Sequence, residues 1–275
     1  MSANLSRVDT EFVRELVYRR SAIVLDDSKL YLIESRLAQL AVDAGCASAQ
    51  EVVQKARAAG AASVAQQKIV EAITTHETTF FRDVAPFDAL KSVILPGLLA
   101  GRVGRPLTIW SAACSTGQEP YTIAMMVLES FPELADGRLR ILATDLSAPI
   151  VERAREGKFS QVEVNRGLPA AYAVKYFDRV GTQWAIKPRV KNMVSFRRMN
   201  LLDPWSDVGE PDVVFMRYVL IYFDVATKRE LLGRLARTMG RGGALVLGGS
   251  ETTINIDDQW ERIPHDKTAF YRVRK

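Results

Sequence analysis

Two carboxylates follow two apolar, β-rich runs in an order that suits recognition of a ribose-bearing ligand. Leu107–Thr108–Ile109–Trp110 gives way to small residues and Gly117 within WSAACSTGQEP, Trp110 to Pro120, and a helical pattern follows. The second run, Leu139 to Thr144, ends on Asp145 within ATDLS, Ala143 to Ser147. A glycine in the first loop lets backbone approach a ligand, and an acid after the second strand accepts hydrogen bonds from ribose hydroxyls. A dinucleotide site would carry several glycines there, so that a pyrophosphate can reach the helix N-terminus. This loop has one, and Glu119 stands at its mouth, where it would repel a pyrophosphate and attract an ammonium or sulfonium.

S-adenosylmethionine, with a ribose, an ammonium and a sulfonium but no phosphate, fits these two acids better than a nicotinamide dinucleotide. A more local reading stays open for Glu119, because acids are favoured in the first turn of any helix. Other residues could serve the same site. The string TTHETTFFRD, Thr74 to Asp83, places small polar groups, two aromatics and an arginine together. Arg82 could hold a carboxylate by a bidentate contact, or form a structural ion pair with Asp83 or Glu77. Phe80 and Phe81 read as packing residues, and His76 alone is weak evidence for a base. Asn200, after the strand Val194–Phe196, could meet an adenine amino group or simply make a turn. The run Val213 to Asp224 is a buried strand entering a polar, aromatic end, which singles out Arg217 and Tyr222, because chemistry sits at the carboxyl ends of central strands in open α/β sheets.

The elements that must position these residues follow from composition and rhythm. The chain has 275 residues, 48% hydrophobic and 25% charged, enough for one large domain or one domain with a smaller companion. Residues 1–85 show helical apolar spacing (Leu30, Ile33, Leu37, Leu40, Ala41) and no strand alternation. They read as a small all-helical N-terminal domain and junction. Residues 86–275 read as an α/β domain: strands at 107–110, 139–144, 194–196, 213–216 and 244–247 alternate with helices at 121–130, 148–156 and 226–239. That alternation implies a mostly parallel, Rossmann-like sheet covered by helices. Phe270 to Val273 reads as an antiparallel edge strand, and the broken rhythm of about 162–192 as a small antiparallel β-insertion.

Two cysteines, Cys46 and Cys114, cannot build a disulfide framework, and with His76 and His265 they do not make a four-ligand zinc site, so no metal is expected. No run of about 18 apolar residues suggests a membrane span, and the N-terminus lacks an apolar signal core, so a cytoplasmic protein is expected. The net charge of +5 comes from residues after the first domain. Arg179, Lys187, Arg189, Lys191, Arg197 and Arg198 face only Asp178 in residues 178–198. This reads equally as a solvated hairpin face and as a patch for an acidic partner.

Taken together, TTHETTFFRD, WSAACSTGQEPYTIAM, ATDLS, NLLD at Asn200 to Asp203, RYVLIYFD at Arg217 to Asp224 and GGSET at Gly248 to Thr252 resemble the chemotaxis receptor glutamate methyltransferases, the CheR family. The motifs run in the same order and span nearly the whole chain. The resemblance implies an S-adenosylmethionine-dependent α/β methyltransferase domain with a small β-insertion, preceded by a helical domain. It implies methyl transfer to glutamates on the cytoplasmic helices of chemoreceptors, with S-adenosylhomocysteine as product. By motif, His76, Thr78, Arg82, Glu119, Asp145, Asn200, Leu201, Arg217 and Tyr218 become cofactor contacts, and Arg82 and Tyr222 the candidate catalytic residues. Many members have Asn where this chain has Tyr218, and some have Asn where it has His76. Some members dock a receptor C-terminal peptide on the β-insertion.

A glutamate carboxylate, with an unperturbed pKa of about 4.3, is already ionised at neutral pH and needs no strong general base. The protein's task would be alignment and partial desolvation of opposite charges. The expectations are a monomer, recruited to receptor arrays, with no nucleic-acid partner and no membrane insertion. The basic excess keeps an RNA or DNA methyltransferase as an alternative, against which the chain has no Asn/Asp-Pro-Pro-Tyr/Phe string and no cysteine placed for cytosine chemistry. A non-catalytic cofactor-binding scaffold is the other alternative, disfavoured by the presence of Arg82, Glu119 and Asp145.

Overall fold

The computed structural model describes residues 5–61, 63–100, 104–240 and 242–274. The chain divides into two compact units, Met1–Thr75 with Tyr222–Thr227, and His76–Ile221 with Lys228–Lys275.

The first unit is built from α1 (Arg7–Ser21), α2 (Leu30–Asp43), α3 (Ala49–Ala58) and α4 (Val64–Ile73). Three of them begin on a serine whose hydroxyl accepts an orphan amide of the first turn: Ser6 from Asp9, Ser48 from Glu51 and Ser63 from Gln66. Val13, Leu16 and Val17 of α1, Ile33 and Leu37 of α2, Val53 and Ala56 of α3 and Ile69 and Ile73 of α4 are buried, at the 3- and 4-residue spacing of one helix face. Ala22, in the left-handed region at φ 56°, ends α1 one residue short of the apolar Ile23. The segment Tyr222–Thr227 joins this unit: the Tyr222 carbonyl accepts the Val24 amide at 2.9 Å, and the Tyr18 hydroxyl donates to Asp224 at 2.6 Å.

The second unit opens with a continuous helical run, α5 (Ala85–Ala89), a π-turn over Leu90–Ile94, and α6 (Leu95–Leu99). Pro96 has no amide to donate and its ring crowds the carbonyl four residues back, so the wider turn falls just before it. Then come β1 (Leu107–Ala112), α7 (Gln118–Ser130), β2 (Leu139–Asp145) and α8 (Ala148–Glu156). The insertion carries β3 (Lys158–Ser160), α9 (Gln161–Asn165), α10 (Ala170–Tyr176), β4 (Phe177–Val180), β5 (Gln183–Ile186) and α11 (Pro188–Lys191). The chain returns through β6 (Val194–Arg198), β7 (Val213–Met216), α12 (Val225–Thr238), β8 (Ala244–Leu247), β9 (Trp260–His265) and β10 (Thr268–Val273).

The main sheet has the order β6-β2-β1-β7-β8-β10-β9, and β3-β5-β4 form a separate antiparallel sheet. β6, β2, β1, β7 and β8 are parallel, and β10 runs antiparallel to both β8 and β9. The Rossmann-like α/β reading, with its small antiparallel insertion and helical N-terminal part, therefore holds. One strand assignment needs correction. Phe270 to Val273 belongs to an antiparallel strand, but β10 is internal and β9 forms the edge. WERIPH hides that edge strand because only Trp260 is buried in it and Pro264 interrupts the pattern, as proline does on strands whose outer side needs no donor. The central strands β1, β2, β7 and β8 are almost wholly buried, as parallel strands covered on both faces must be.

Candidate active site

The strand order reverses beside β1: β2, next in sequence, lies on one side and β7 on the other. Outside the carboxyl ends of strands at such a switch point, the loops diverge and leave a crevice for ligand. The loops here are 113–117 after β1 and 217–221 after β7. Both leave the ordinary backbone regions. Ala113, Ser115 and Gly117 have φ of 56°, 51° and 92°, and Tyr218 has 56°. A Cβ on Gly117 would meet Ala154 Cβ at 3.1 Å, so the loop presses against α8 and needs glycine twice over, for its angle and for its space.

The first loop builds a seat around Asp145. The Ser115 amide donates to Asp145 Oδ2 at 2.9 Å and the Ser147 amide to Oδ1 at 3.1 Å. The Ser115 hydroxyl reaches the His76 carbonyl at 2.7 Å, and His76 Nδ1 lies 4.0 Å from Asp145 Oδ1. Burial pushes the Asp145 carboxyl above the usual range, against the lowering pull of His76 and of backbone amides. The Met199 amide donates to the Asp145 carbonyl at 2.9 Å, which brings Asn200 beside the end of β2. There the Asn200 side chain accepts the Leu202 amide at 3.1 Å, a turn contact of the kind asparagine favours, and the Leu201 carbonyl accepts from Trp205 and Arg234, each at 3.1 Å.

The second group centres on Arg217. Glu119, in the first turn of α7, accepts the Ser111 hydroxyl on Oε1 at 2.7 Å and Arg217 Nη1 on Oε2 at 2.9 Å. Glu119 is thus a first-turn acid, as the local reading has it, and is also the partner of Arg217. Arg217 Nη2 donates to the Arg82 carbonyl at 2.7 Å and to Asp83 Oδ2 at 3.0 Å. The Tyr218 hydroxyl also donates to Asp83, and the Arg82 guanidinium lies over the Tyr218 ring, 3.9 Å from its centre. Arg82 Nη1 donates to the Glu77 carbonyl at 2.9 Å; its own guanidinium does not pair with the Glu77 carboxylate, which instead meets Arg166 at 3.2 Å. Arg217 is buried, and its Nε has no hydrogen-bond partner.

Phe80 packs edge-on against Phe159 and Phe177, and Phe81 against Tyr172 and Phe87. Thr78 is half-buried on the irregular segment between His76 and Phe80. Of the expected residues, the structure brings Arg82, Glu119, Arg217 and Tyr218 into one network and His76 and Asp145 into another, with Asn200 and Leu201 on the adjoining loop. Tyr222 belongs to the first unit. Asp83, Ser111 and Ser115 take part without having been singled out. Asp83 was visible in the motif, but its role depends on a left-handed backbone at φ 53° that sequence does not announce.

Family models for the CheR methyltransferase SAM-binding domain and the CheR methyltransferase all-alpha domain match residues 76–269 and 9–74. The chain belongs to the CheR methyltransferase family. It is 38% identical over 274 residues to chemotaxis protein methyltransferase 1 of Pseudomonas aeruginosa, covering 98% of this chain and 99% of that protein. A chemotaxis protein methyltransferase of Pseudomonas putida is 36% identical, covering 97% of this chain and 98% of its own length. The chemotaxis protein methyltransferase of Vibrio parahaemolyticus is 38% identical, covering 92% of each. This CheR-family chain is therefore an S-adenosylmethionine-dependent methyltransferase. The donor set fits that cofactor: two carboxylates at the switch point, one glycine rather than a phosphate cradle, and a buried arginine with an unsatisfied Nε. Among the described residues, no helix is long and apolar enough to cross a membrane.

Proposed function

We propose that this enzyme methylates glutamate side chains on the cytoplasmic helices of chemoreceptors, producing a methyl ester and S-adenosylhomocysteine. The observation that carries this reading is the match to the CheR methyltransferase family over nearly the whole chain, with relatives named chemotaxis protein methyltransferases. In the site, Glu119 is tied to Arg217, Asp145 accepts backbone amides, and His76 leans toward Asp145. A carboxylate nucleophile is the acceptor such a site can serve, because it arrives already ionised.

When bound, S-adenosylmethionine supplies an electrophilic methyl group on a sulfonium. Asp145 accepts the ribose hydroxyls, and Glu119 draws the ammonium while Arg217 fixes its orientation. His76, Thr78, Asn200, Leu201 and Tyr218 complete the cofactor contacts. Arg82, held on the Tyr218 ring, orients the incoming carboxylate, and alignment with partial desolvation of the two opposite charges is the protein's task. The partner is the acidic receptor helix, with a receptor C-terminal peptide on the small sheet as a second contact. The enzyme works as a cytoplasmic monomer recruited to receptor arrays. Exposed basic residues of 178–198 steer docking, although Lys187 and Arg197 are partly neutralised by Asp178 and Asp207.

The test is transfer of labelled methyl to chemoreceptor membranes, followed by alkali. Release of label as methanol supports a carboxyl ester. Alkali-stable label refutes it and turns attention to nitrogen or carbon acceptors.

A further inference from the structure

The GGSET motif, Gly248 to Thr252, follows β8 and contributes none of the residues described so far. Its glutamate is nonetheless the most heavily bonded carboxylate near the site. Glu251 Oε2 accepts the Tyr218 amide at 2.7 Å and the Gly248 amide at 2.8 Å. Oε1 accepts the Val219 amide at 3.0 Å and the Ile221 amide at 3.3 Å. Three of these four donors belong to the loop after β7, and Glu251 is buried beneath them.

That loop cannot satisfy itself. β7 ends at Met216, and the left-handed turn at Tyr218 directs successive amides toward one side, the arrangement that makes an anion-binding concavity. Buried amides without an acceptor are costly, and a charged acceptor makes the stronger bond. The fit is close. A Cβ on Gly248 would lie 2.8 Å from Glu251 Oε2 and 2.9 Å from the Tyr218 ring, so Gly248, Glu251 and Tyr218 pack as one body. Burial raises the Glu251 carboxyl above its ordinary range, against the lowering pull of the backbone amides that bond it.

We infer that Glu251 is a positioning residue, an internal anion that holds the Arg217–Ile221 loop in the shape that presents Arg217 and Tyr218 to the cofactor. It touches no reacting group. It acts through the Tyr218 amide, and thereby through the ring under Arg82 and the guanidinium on Glu119. The inference rests on the proposed cofactor roles of Arg217 and Tyr218.

Full-length Glu251→Gln, Gly248→Ala, Arg217→Gln and the Glu251→Gln/Arg217→Gln double variant separate the possibilities. Two readouts are used: amide exchange at 218–221 in the cofactor-free protein, and calorimetric affinity for S-adenosylhomocysteine. Glu251→Gln is expected to speed exchange at those amides and weaken affinity, each about tenfold, as loss of charge-assisted bonds does. Arg217→Gln weakens affinity similarly, and the double variant adds less than about twofold to it, because both changes disable one element. Gly248→Ala, which keeps the carboxylate but displaces it, gives the same signature even if Glu251→Gln fails to fold. Native exchange and affinity in Gly248→Ala, or in a folded Glu251→Gln, overturn the inference while leaving the site intact, as do fully additive effects. Native affinity in Arg217→Gln overturns the site assignment itself.

Discussion

The helical first unit and the loops at the switch point are built on opposite principles. In the helices, amides bond within the element, serines cap the ends, and apolar residues face one way. In the loops, amides bond to side chains far away in sequence, and charges are buried. Among the described residues, eight non-glycines have positive φ, and five of them (Phe81, Asp83, Ala113, Ser115 and Tyr218) line the site. Such conformations persist only where the surroundings over-determine them. The difference predicts where substitutions register: in the helical unit they should change stability alone, and at the switch point they should change ligand affinity, even with the opposite effect on stability.

The largest effect is expected at Arg217. Its guanidinium, almost fully buried, is shared by Glu119, Asp83 and the Arg82 carbonyl, with Glu119 only slightly exposed. Truncation to alanine strands a carboxylate, at a cost of about 3 kcal/mol in stability, and lowers methyl transfer at least about 100-fold. Thermal unfolding and turnover measured on the same preparation check both. A variant that loses stability but keeps cofactor affinity would mean that Arg217 is scaffold only.

Asp145→Asn sharpens the contrast, because the two readouts should part. Burial is the largest influence on this carboxyl and raises its folded-state pKa. The unfolded chain therefore gives up the proton more readily, and the stability associated with the protonated group is lost as pH rises through the folded pKa. At neutral pH a neutral amide relieves the buried charge but can accept only one of the Ser115 and Ser147 amides, so the cofactor-free protein is expected to change little in stability, while affinity for S-adenosylhomocysteine falls at least about tenfold with the loss of the proposed ribose acceptor. The difference in stability between variant and native protein should move in favour of the native protein as pH falls through the folded pKa, where the native carboxyl becomes protonated. Unfolding followed against pH, with calorimetry beside it, tests the pair. A difference that moves the other way would contradict the sign.

Gly167 carries the contrast into the insertion. It has φ 89°, and a Cβ there would stand 2.2 Å from the Phe80 carbonyl oxygen. Backbone cannot yield as a side-chain tip can, so Gly167→Ala must shift the segment that carries Thr78 and Arg82. The expected result is a loss of about 2 kcal/mol in stability and a fall of about threefold in cofactor affinity. If stability drops while affinity and turnover hold, the insertion supports the fold without tuning the site.

The legible parts of this molecule were those governed by local pattern. Val213–Met216 and Ala244–Leu247 coincide with their strands because central parallel strands are apolar throughout. Glu119 and Asp145 stood out because acids at those loop ends imply a ligand. Glu251 was visible only as part of a motif, since three of its four partners are amides about thirty residues earlier and amides leave no mark on sequence. The Arg217 network was half visible: the residue type was suggestive, but its sharing between Glu119 and Asp83 depends on which strands become neighbours. β9 was hidden by Pro264, and the association of Tyr222 with the first unit rests on one backbone bond to Val24 and its neighbours.

The smallest predicted effect lies at Ser48 and tests the helical side of the contrast. Ser48 is extended at φ −159°, and its hydroxyl accepts the Glu51 amide at 3.2 Å. The Glu51 carboxylate accepts the Ala47 amide at 2.7 Å and pairs with Lys55 one turn on, also at 2.7 Å. Ser48→Ala leaves the Glu51 carboxylate contacts in place and removes one acceptor from one half-buried helix end. The cost should be about 1 kcal/mol, a fall of a few degrees in the unfolding midpoint. Because no charge is buried and no distant segment is held, affinity for S-adenosylhomocysteine should remain at the native value. A Ser48→Ala variant that weakens cofactor binding as well would show that capping in the helical unit is coupled to the site, and the division between the two regions would fail at its simplest point.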